Sequence, residues 1–492
     1  MIPKFLKENI ILLLILAIAV FLRFYRLPSL LTFGGDVARD YLVARDITLK
    51  GEIPLVGSPT SVPWLYQGAF FTYLLGIVLW LGKYNPLAGG YFVGVMGVVG
   101  VLGTYFLGKK LFSEKIGLLS ALFYATSPLI VLFDRYPYHQ SLISIFTMFF
   151  IFSLWKMTKK IKYIFLSFFL FGLLMQLELS NLVLLPILLI WLFMYRERVQ
   201  FKLLALSGFV FLFTWLPKII YDLRNGFTQT LGFVAWVIHK LPVVSTFVND
   251  RGVNVSFVER ITSIFVYFSR IIFWPSFGVS ILIFIFFIFL LVKEYLKEFR
   301  GEIKGEVRGN SINLLLLWIL VPCFGFLVQG SPSESYVPVL FGAIALLVGV
   351  GLSLPRRRLG RLVADLFIVS LGIFNVYFIL SNDFFVKTGK RSVVDKNYNL
   401  GQSFELNEEM ARFVVGDANG RKFSLVPLGS YGNFSSSVLN LNYLTWYFGN
   451  EPSEEREKLQ YFIYDKEDNI KIGGAELVKE FPFLVIARKN RK

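Results

Sequence analysis

One cysteine and two histidines in 492 residues leave little material for redox or soft-metal chemistry. Cys323 stands alone inside an apolar run, so neither a disulfide framework nor a thiolate cluster can be built, and His139 and His239 do not make a histidine-rich metal centre. Familiar engines are also missing. The chain has no P-loop, no GxGxxG opening a helix after a strand, no HExxH and no serine-hydrolase elbow, which argues against a soluble nucleotide-binding engine. Acidic residues are scarce, 33 Asp and Glu against 50 Lys and Arg, for a formal charge of +17. The cations are scattered through short loops and form no continuous block, so a nucleic-acid partner is not expected.

What is abundant is oil. The chain is 55% hydrophobic with 53 Phe and has a mean hydropathy of +0.62, more apolar surface than one soluble core can bury. The reading is a polytopic α-helical membrane protein. Apolar runs of spanning or near-spanning length fall at about 10–22, 89–107, 116–133, 140–155, 163–177, 182–195, 203–220, 264–292, 312–329, 336–353 and 362–380, about eleven transmembrane helices. The first resembles a signal-peptide core. Arg23 and Arg26 follow it without a small-residue cleavage site, so it reads as a retained span.

Charge sets the expected topology. The loops at 108–115, 156–162, 196–202, 293–311 and 355–361, with Lys4 and Lys7, carry twenty-one Lys and Arg, whereas the alternate loops at 134–139, 178–181 and 330–335 carry only Arg135. The positive-inside rule makes the rich side and the N-terminus cytoplasmic, provided that the run 67–82 does not cross. An outer loop 23–88, a second outer loop 221–262 and an external C-terminus in a plasma (cell) membrane follow. Residues 1–380 then form a transmembrane domain. Residues 381–492, with 16 Lys and Arg against 15 Asp and Glu and short apolar runs at 422–427, 459–464 and 483–487, form a small extracytoplasmic α/β domain. Asn254 and Asn433 each open a glycosylation-type triplet on that side, a weak signal.

The chemistry-bearing stretch opens the first outer loop. Asp36, Arg39, Asp40, Arg45 and Asp46 place five charges in eleven residues, and the first three share a helix face behind Gly34-Gly35. A carboxylate and a cation held together at a membrane surface suit acid/base chemistry; a solvated face with internal ion pairs is the plainer reading. Asp134-Arg135-Tyr136-Pro137-Tyr138-His139 is the next polar turn, where the fork of Arg135 suits a phosphate and a snorkelling interfacial cap is the alternative. Glu178 sits at an external span end, where simple interfacial solvation is the plainer reading; Asp222 and Arg224 read as a local ion pair, Glu334 and Tyr336 as caps at the outer end of another span, and His239 as part of an amphipathic stretch.

Together these features resemble the C-type (GT-C) membrane glycosyltransferases, glycosyltransferase family thirty-nine above all, which includes protein O-mannosyltransferases and lipid A aminoarabinose transferases. Gly35-Asp36-Val37-Ala38-Arg39-Asp40-Tyr41 followed by Gly51-Glu52-Ile53-Pro54 is similar to that family's first-loop motif, and 67–82 resembles its juxtamembrane helix. The resemblance implies a GT-C fold and a sugar transferase of hexosyl or pentosyl type drawing on a polyprenyl-phosphate donor. Asp36 would be the general base. Arg39 would help hold the site or the phosphate, and the polar residues Asp40, Arg135, Tyr138, His139, Glu178 and Tyr336 complete the candidate substrate contacts read from the sequence. The acceptor would be a protein hydroxyl, a lipid or a glycan at the outer face of the bilayer. Where the family commonly has an acidic pair, a basic residue before the juxtamembrane helix and a second-loop acid, this chain has Val37, Gln67 and His139. No cofactor is therefore implied with certainty, and a divalent metal is left open. The alternative function is a transporter or flippase, or a ligase for lipid-linked glycans. Transporters commonly show two similar halves with charges at mid-membrane; here no clear repeat is visible and the charges cluster at span ends.

Overall fold

Prolines decide where the apolar runs break. In the computed structural model, which describes residues 9–62, 64–240, 256–299, 306–330, 332–354, 357–389 and 398–490, the run 116–133 divides before Pro128 into Glu114–Thr126 and Pro128–Phe133. The run 203–220 bends by 67° at Trp215, just before Pro217. The expected single span over 264–292 is in fact two helices, Phe257–Ile272 and Phe277–Phe299, parted at Phe273-Trp274-Pro275-Ser276. Pro275 lacks an amide proton and forces its predecessor out of the helical region, so no continuous helix can pass it. Asn254 and the side chain of His239 lie outside the described residues.

In chain order the main helices are α1 Ile10–Phe24, α2 Gly35–Leu49, α3 Phe70–Leu81, α4 Leu87–Leu111, α5 Glu114–Thr126, α6 Ile143–Met157, α7 Tyr163–Leu177, α8 Leu185–Met194, α9 Phe201–Thr214, α10 Leu216–Arg224, α11 Thr228–Lys240, α12 Phe257–Ile272, α13 Phe277–Phe299, α14 Glu306–Gln329, α15 Phe341–Ser353, α16 Arg358–Ser381, α17 Phe404–Ala418 and α18 Leu439–Tyr447. Among the described residues six helices are each long and apolar enough to cross a bilayer, at 87–111, 139–157, 277–297, 310–329, 334–353 and 358–381; α9 with α10 makes a seventh if that bent pair is one span. The other expected spans are shorter apolar helices or segments divided as above.

The bundle has two chemically distinct ends. At one, the basic loops meet: Arg198 donates to the Thr158 carbonyl at 3.0 Å and Lys115 pairs with Asp365 at 3.0 Å. At the other, the loops after α1, before α6 and after α7 converge. Arg23 pairs there with Asp134 at 2.6 Å, both fully or nearly buried. Helix α3 stays at this second end. Gln67, just before it, bonds Glu178; beyond it, the Tyr84 carbonyl accepts from the Tyr443 hydroxyl at 2.8 Å. Between these points α3 lies along α2.

The C-terminal residues form a four-stranded sheet with two helices against it. Strands β1 Phe423–Pro427, β2 Leu459–Asp465, β3 Leu477–Glu480 and β4 Leu484–Asn490 take the order β1-β2-β4-β3. The β1–β2 pair is parallel, which requires a crossover, and α18 lies within it; β2–β4 and β3–β4 are antiparallel. This unit is docked on the segment leading into α2. The Phe404 amide donates to the Leu31 carbonyl at 2.8 Å, Asn407 to the Phe33 carbonyl at 3.1 Å, and Tyr443 meets Phe33 and Tyr41 with ring centroids 5.8 and 5.3 Å apart. Phe33, Tyr41 and Tyr443 are each fully buried. At roughly 1.5–3 kcal/mol per large apolar side chain buried, that contact outweighs any surface ion pair in fixing α2.

Candidate active site

Helix α2 begins at an extended Gly34. A Cβ on the next residue, Gly35, would stand 1.8 Å from the backbone oxygen of Ser436, so only glycine lets the C-terminal domain approach this closely. Asp36 therefore occupies the first turn, where the helix dipole favours a negative charge. More than half of its side chain, 56%, is exposed.

Arg39 sits one turn on and ties three groups together. Its guanidinium bonds Asp36 at 3.0 Å and the Tyr138 hydroxyl at 3.3 Å, and lies 3.6 Å from Asp40. Asp40 is almost wholly buried and accepts from the Ser58 hydroxyl at 2.7 and 2.8 Å. Burial pushes its carboxyl above the usual carboxylate range, against the opposing pull of His139, Arg39 and Ser58. Asp36 and Asp40 thus share a helix but not an environment: one carboxylate faces solvent, the other is sealed.

A second, buried cluster lies behind Tyr138, whose ring centroid is 4.1 Å from that of His139. Glu178, 5% exposed at the end of α7, accepts from Gln67 at 2.5 Å and from Gln140 at 3.3 Å, and stands 3.1 Å from His139 Nε2. Three neighbours around one buried carboxylate meet the requirement that such a charge be paired and hydrogen-bonded. The Pro- and Gly-rich segment 51–68 links the two clusters. It folds back on itself, with the Gln67 amide donating to the Ser58 carbonyl at 2.8 Å and Gly57 to the Gln67 carbonyl at 2.9 Å. One short loop therefore delivers Ser58 to Asp40 and Gln67 to Glu178.

Among the described residues, two expected contact residues make no hydrogen bond to Asp36, Arg39 or Asp40. Arg135 Nη1 donates to the carbonyls of Leu22, Arg23 and Tyr25 at 3.0–3.1 Å, and its guanidinium stacks 3.8 Å over Phe384. Nη1 thereby satisfies the orphan carbonyls at the end of α1, while Nε and Nη2 are buried without a hydrogen-bond partner among the described residues. Tyr336 is half-buried, with Phe326 6.3 Å away; its charged neighbour is Glu178. Asp222 does not pair with Arg224; it accepts from the amides of Gln229 and Thr230, both at 2.8 Å, and so caps the start of α11.

The structure also adds residues that the sequence did not single out for chemistry. Arg270 on α12 bonds Glu334, which accepts from the Tyr398 hydroxyl at 2.6 Å, and the guanidinium lies 4.5 and 5.2 Å over the rings of Tyr398 and Trp274. Tyr136, its ring centroid 5.6 Å from that of Tyr138, is buried, and burial together with the nearby Asp36 and Asp40 charges pushes its hydroxyl well above the usual phenol range. Lys218, just past the α9–α10 bend, is buried and donates to the Tyr66 carbonyl at 2.7 Å. No local spacing announces these meetings, because the partners lie far apart in the chain. Among the described residues no three His, Cys, Asp or Glu side chains converge as a ligand set, so no step is assigned to a metal.

Residues 67–221 match the family model described as dolichyl-phosphate-mannose-protein mannosyltransferase. The fold resembles that of ArnT from Cupriavidus metallidurans bound to undecaprenyl phosphate, with 11% identity over 98% of both chains and a TM-score of 0.63. The apo form of that protein gives 12% identity over 97% of both chains and a TM-score of 0.62. AglB, an oligosaccharyltransferase from Archaeoglobus fulgidus, in complex with an inhibitory peptide and a dolichol-phosphate, matches with 13% identity over 90% of this chain and 64% of its own, TM-score 0.50. No curated protein sequence matches the chain. At these identities the structural likeness is one of fold.

Proposed function

Given that this chain has the fold of the GT-C superfamily of membrane glycosyltransferases, we propose that it moves a sugar from a polyprenyl-phosphate donor to a hydroxyl-bearing acceptor at the Asp36 end of the bundle. The observation that carries this reading is the exposed Asp36 carboxylate held beside Arg39, which is itself fixed by Tyr138 and Asp40.

The roles divide by environment. Asp36 takes the proton of the acceptor hydroxyl as its oxygen bonds the anomeric carbon. The bond from that carbon to the donor's phosphate oxygen breaks, and the electron pair leaves on the phosphate. Polyprenyl phosphate departs, and the proton remains on Asp36. The leaving group needs a cation more than it needs an acid, and Arg39 is the cation within reach of Asp36. Arg270, paired with Glu334, supplies a second positive group to the same end of the bundle. Asp40 and Ser58 orient Arg39, and Glu178 with Gln67 and Gln140 orients His139 behind Tyr138. Tyr336 lines the Glu178 side. Arg135 holds the loop in place through the end of α1. In the matching orientation the basic end faces the cytoplasm, as the positive-inside rule requires, and Asp36 with the C-terminal domain faces outside a plasma membrane.

Mass spectrometry of lipid extracts from cells with and without the protein tests the proposal. The expected result is loss of a polyprenyl-phosphate sugar and gain of a glycosylated product with the wild type, and neither with Asp36→Asn. A base contributes about 10²–10⁴-fold, so substantial transfer by that variant removes Asp36 from the mechanism. An unaltered donor pool with the wild type overturns the transferase reading and favours transport. A product heavier by a whole glycan identifies a ligase.

A further inference from the structure

A second feature lies at the opposite end of the bundle from Asp36. Helices α13 and α16 both pack against α15 and leave an apolar cleft of about 760 Å³ between them. Its walls are Leu282, Phe286 and Leu290 from α13 and Val363 and Phe367 from α16, and Gly351 and Leu352 of α15 contribute to its lining. Gly351 lets α15 pack directly on α13, since a Cβ there would meet the Phe287 ring at 2.2 Å. From Leu282 to Lys297 the cleft follows fifteen residues of helix, roughly 22 Å, longer than the ~15 Å hydrocarbon depth of one leaflet.

The mouth is polar. Lys293 is exposed there, Lys297 pairs with Glu294 at 2.7 Å, and Gly360 on the facing helix sits between the exposed Arg358 and Arg361. Among the described residues, cations therefore outnumber carboxylates where the apolar cleft opens. A neutral lipid would draw no benefit from that arrangement, whereas a phosphate bearing a net negative charge would.

We propose that this cleft binds one acyl chain of an anionic phospholipid, with Lys293 and Lys297 holding the headgroup phosphate. The site is independent of the transfer reaction, and its test does not need turnover. Purified protein is taken from nanodiscs of equimolar phosphatidylglycerol and phosphatidylcholine, and the last lipid lost on collisional activation is identified by native mass spectrometry. Wild type should retain phosphatidylglycerol, with the preference falling about fivefold for each lysine neutralised in Lys293→Gln and Lys297→Gln. Val363→Trp, at a position 58% exposed, should fill the cleft and lower retention of both lipids with the helical circular dichroism unchanged. Equal retention of the two lipids by the wild type, a preference that survives the double lysine variant, or full retention by Val363→Trp would each overturn the proposal.

Discussion

At the scale of single residues, two ion pairs of similar geometry have different consequences. Asp36 and Arg39 lie 3.0 Å apart with the carboxylate largely in water, and exposed pairs are worth about 0.2–1 kcal/mol. Arg23 and Asp134 lie 2.6 Å apart with almost no exposure, and removing one partner of a buried pair costs about 3–5 kcal/mol. Asp36→Asn should leave the melting temperature in detergent nearly unchanged while transfer is lost. Asp134→Ala should lower it sharply, as guanidinium burial goes uncompensated. Asp40 gives a pH test. Its carboxyl titrates above the usual range because of burial, so the folded chain holds that proton more tightly than the unfolded chain does. Its contribution to stability is present below the ordinary carboxylate pKa and is lost as pH rises through the folded value. Melting curves from pH 4 to 7 should show a smaller fall for Asp40→Asn than for wild type; identical slopes would contradict the burial argument. Asp36 and Arg39 were legible in the sequence because their contact is three residues long. The bonds of Arg135 to the end of α1 were not, because the carbonyls involved lie 110 to 113 residues upstream, and a guanidinium in a polar turn looks the same in sequence whatever it reaches.

At the scale of elements, the loop 51–68 joins the two clusters, supplying Ser58 to Asp40 on α2 and Gln67 to Glu178 at the end of α7. Lys218 holds its Tyr66 carbonyl and Gln229 bonds both the Trp64 carbonyl and the Tyr66 amide, at 2.6 and 2.9 Å. A hydrogen bond to a charged group contributes about 1.5–3 kcal/mol. Lys218→Met should therefore loosen the loop, measured as faster limited proteolysis between 57 and 68, and should lower turnover although Lys218 touches neither Asp36 nor Arg39. Gly51, Pro54, Gly57, Pro59 and Pro63 mark most of this segment as non-helical. Which partners it would reach was not marked, since Ser58 and Gln67 are ordinary polar residues until the fold-back sets them beside two buried carboxylates. The same limit explains the run 264–292. Hydropathy sums over Trp274-Pro275 without registering that Pro275 must interrupt the backbone, so two helices look like one.

At the scale of the whole molecule, composition revealed more than motif. The shift to balanced charge near residue 381 anticipates the sheet-bearing C-terminal unit, and three of its four strands coincide with the short apolar runs at 422–427, 459–464 and 483–487. The alternation of basic and neutral loops anticipates the two ends of the bundle. If those ends face as proposed, cysteines placed at Gly82 and at Ser430 should both react with an impermeant thiol reagent added outside intact cells, in a Cys323→Ala background; protection of Gly82→Cys would invert the orientation assigned to α3. The docking of the C-terminal unit on α2 was beyond sequence reading, because aromatic contacts such as Phe33 with Tyr443 carry no pattern. That docking has a consequence in time. Arg45 and its partner Glu451 are separated by 406 positions, which at roughly 5–20 residues per second is an interval on the order of 20–80 s during synthesis. Throughout it, the helix bearing Asp36 is already made but lacks the surface against which Phe33 and Tyr41 pack. The last fifth of the chain to be translated thus completes the seat of the first polar helix, so a ribosome stalled before Ser403 leaves a membrane protein whose Asp36 carboxylate is present but unheld.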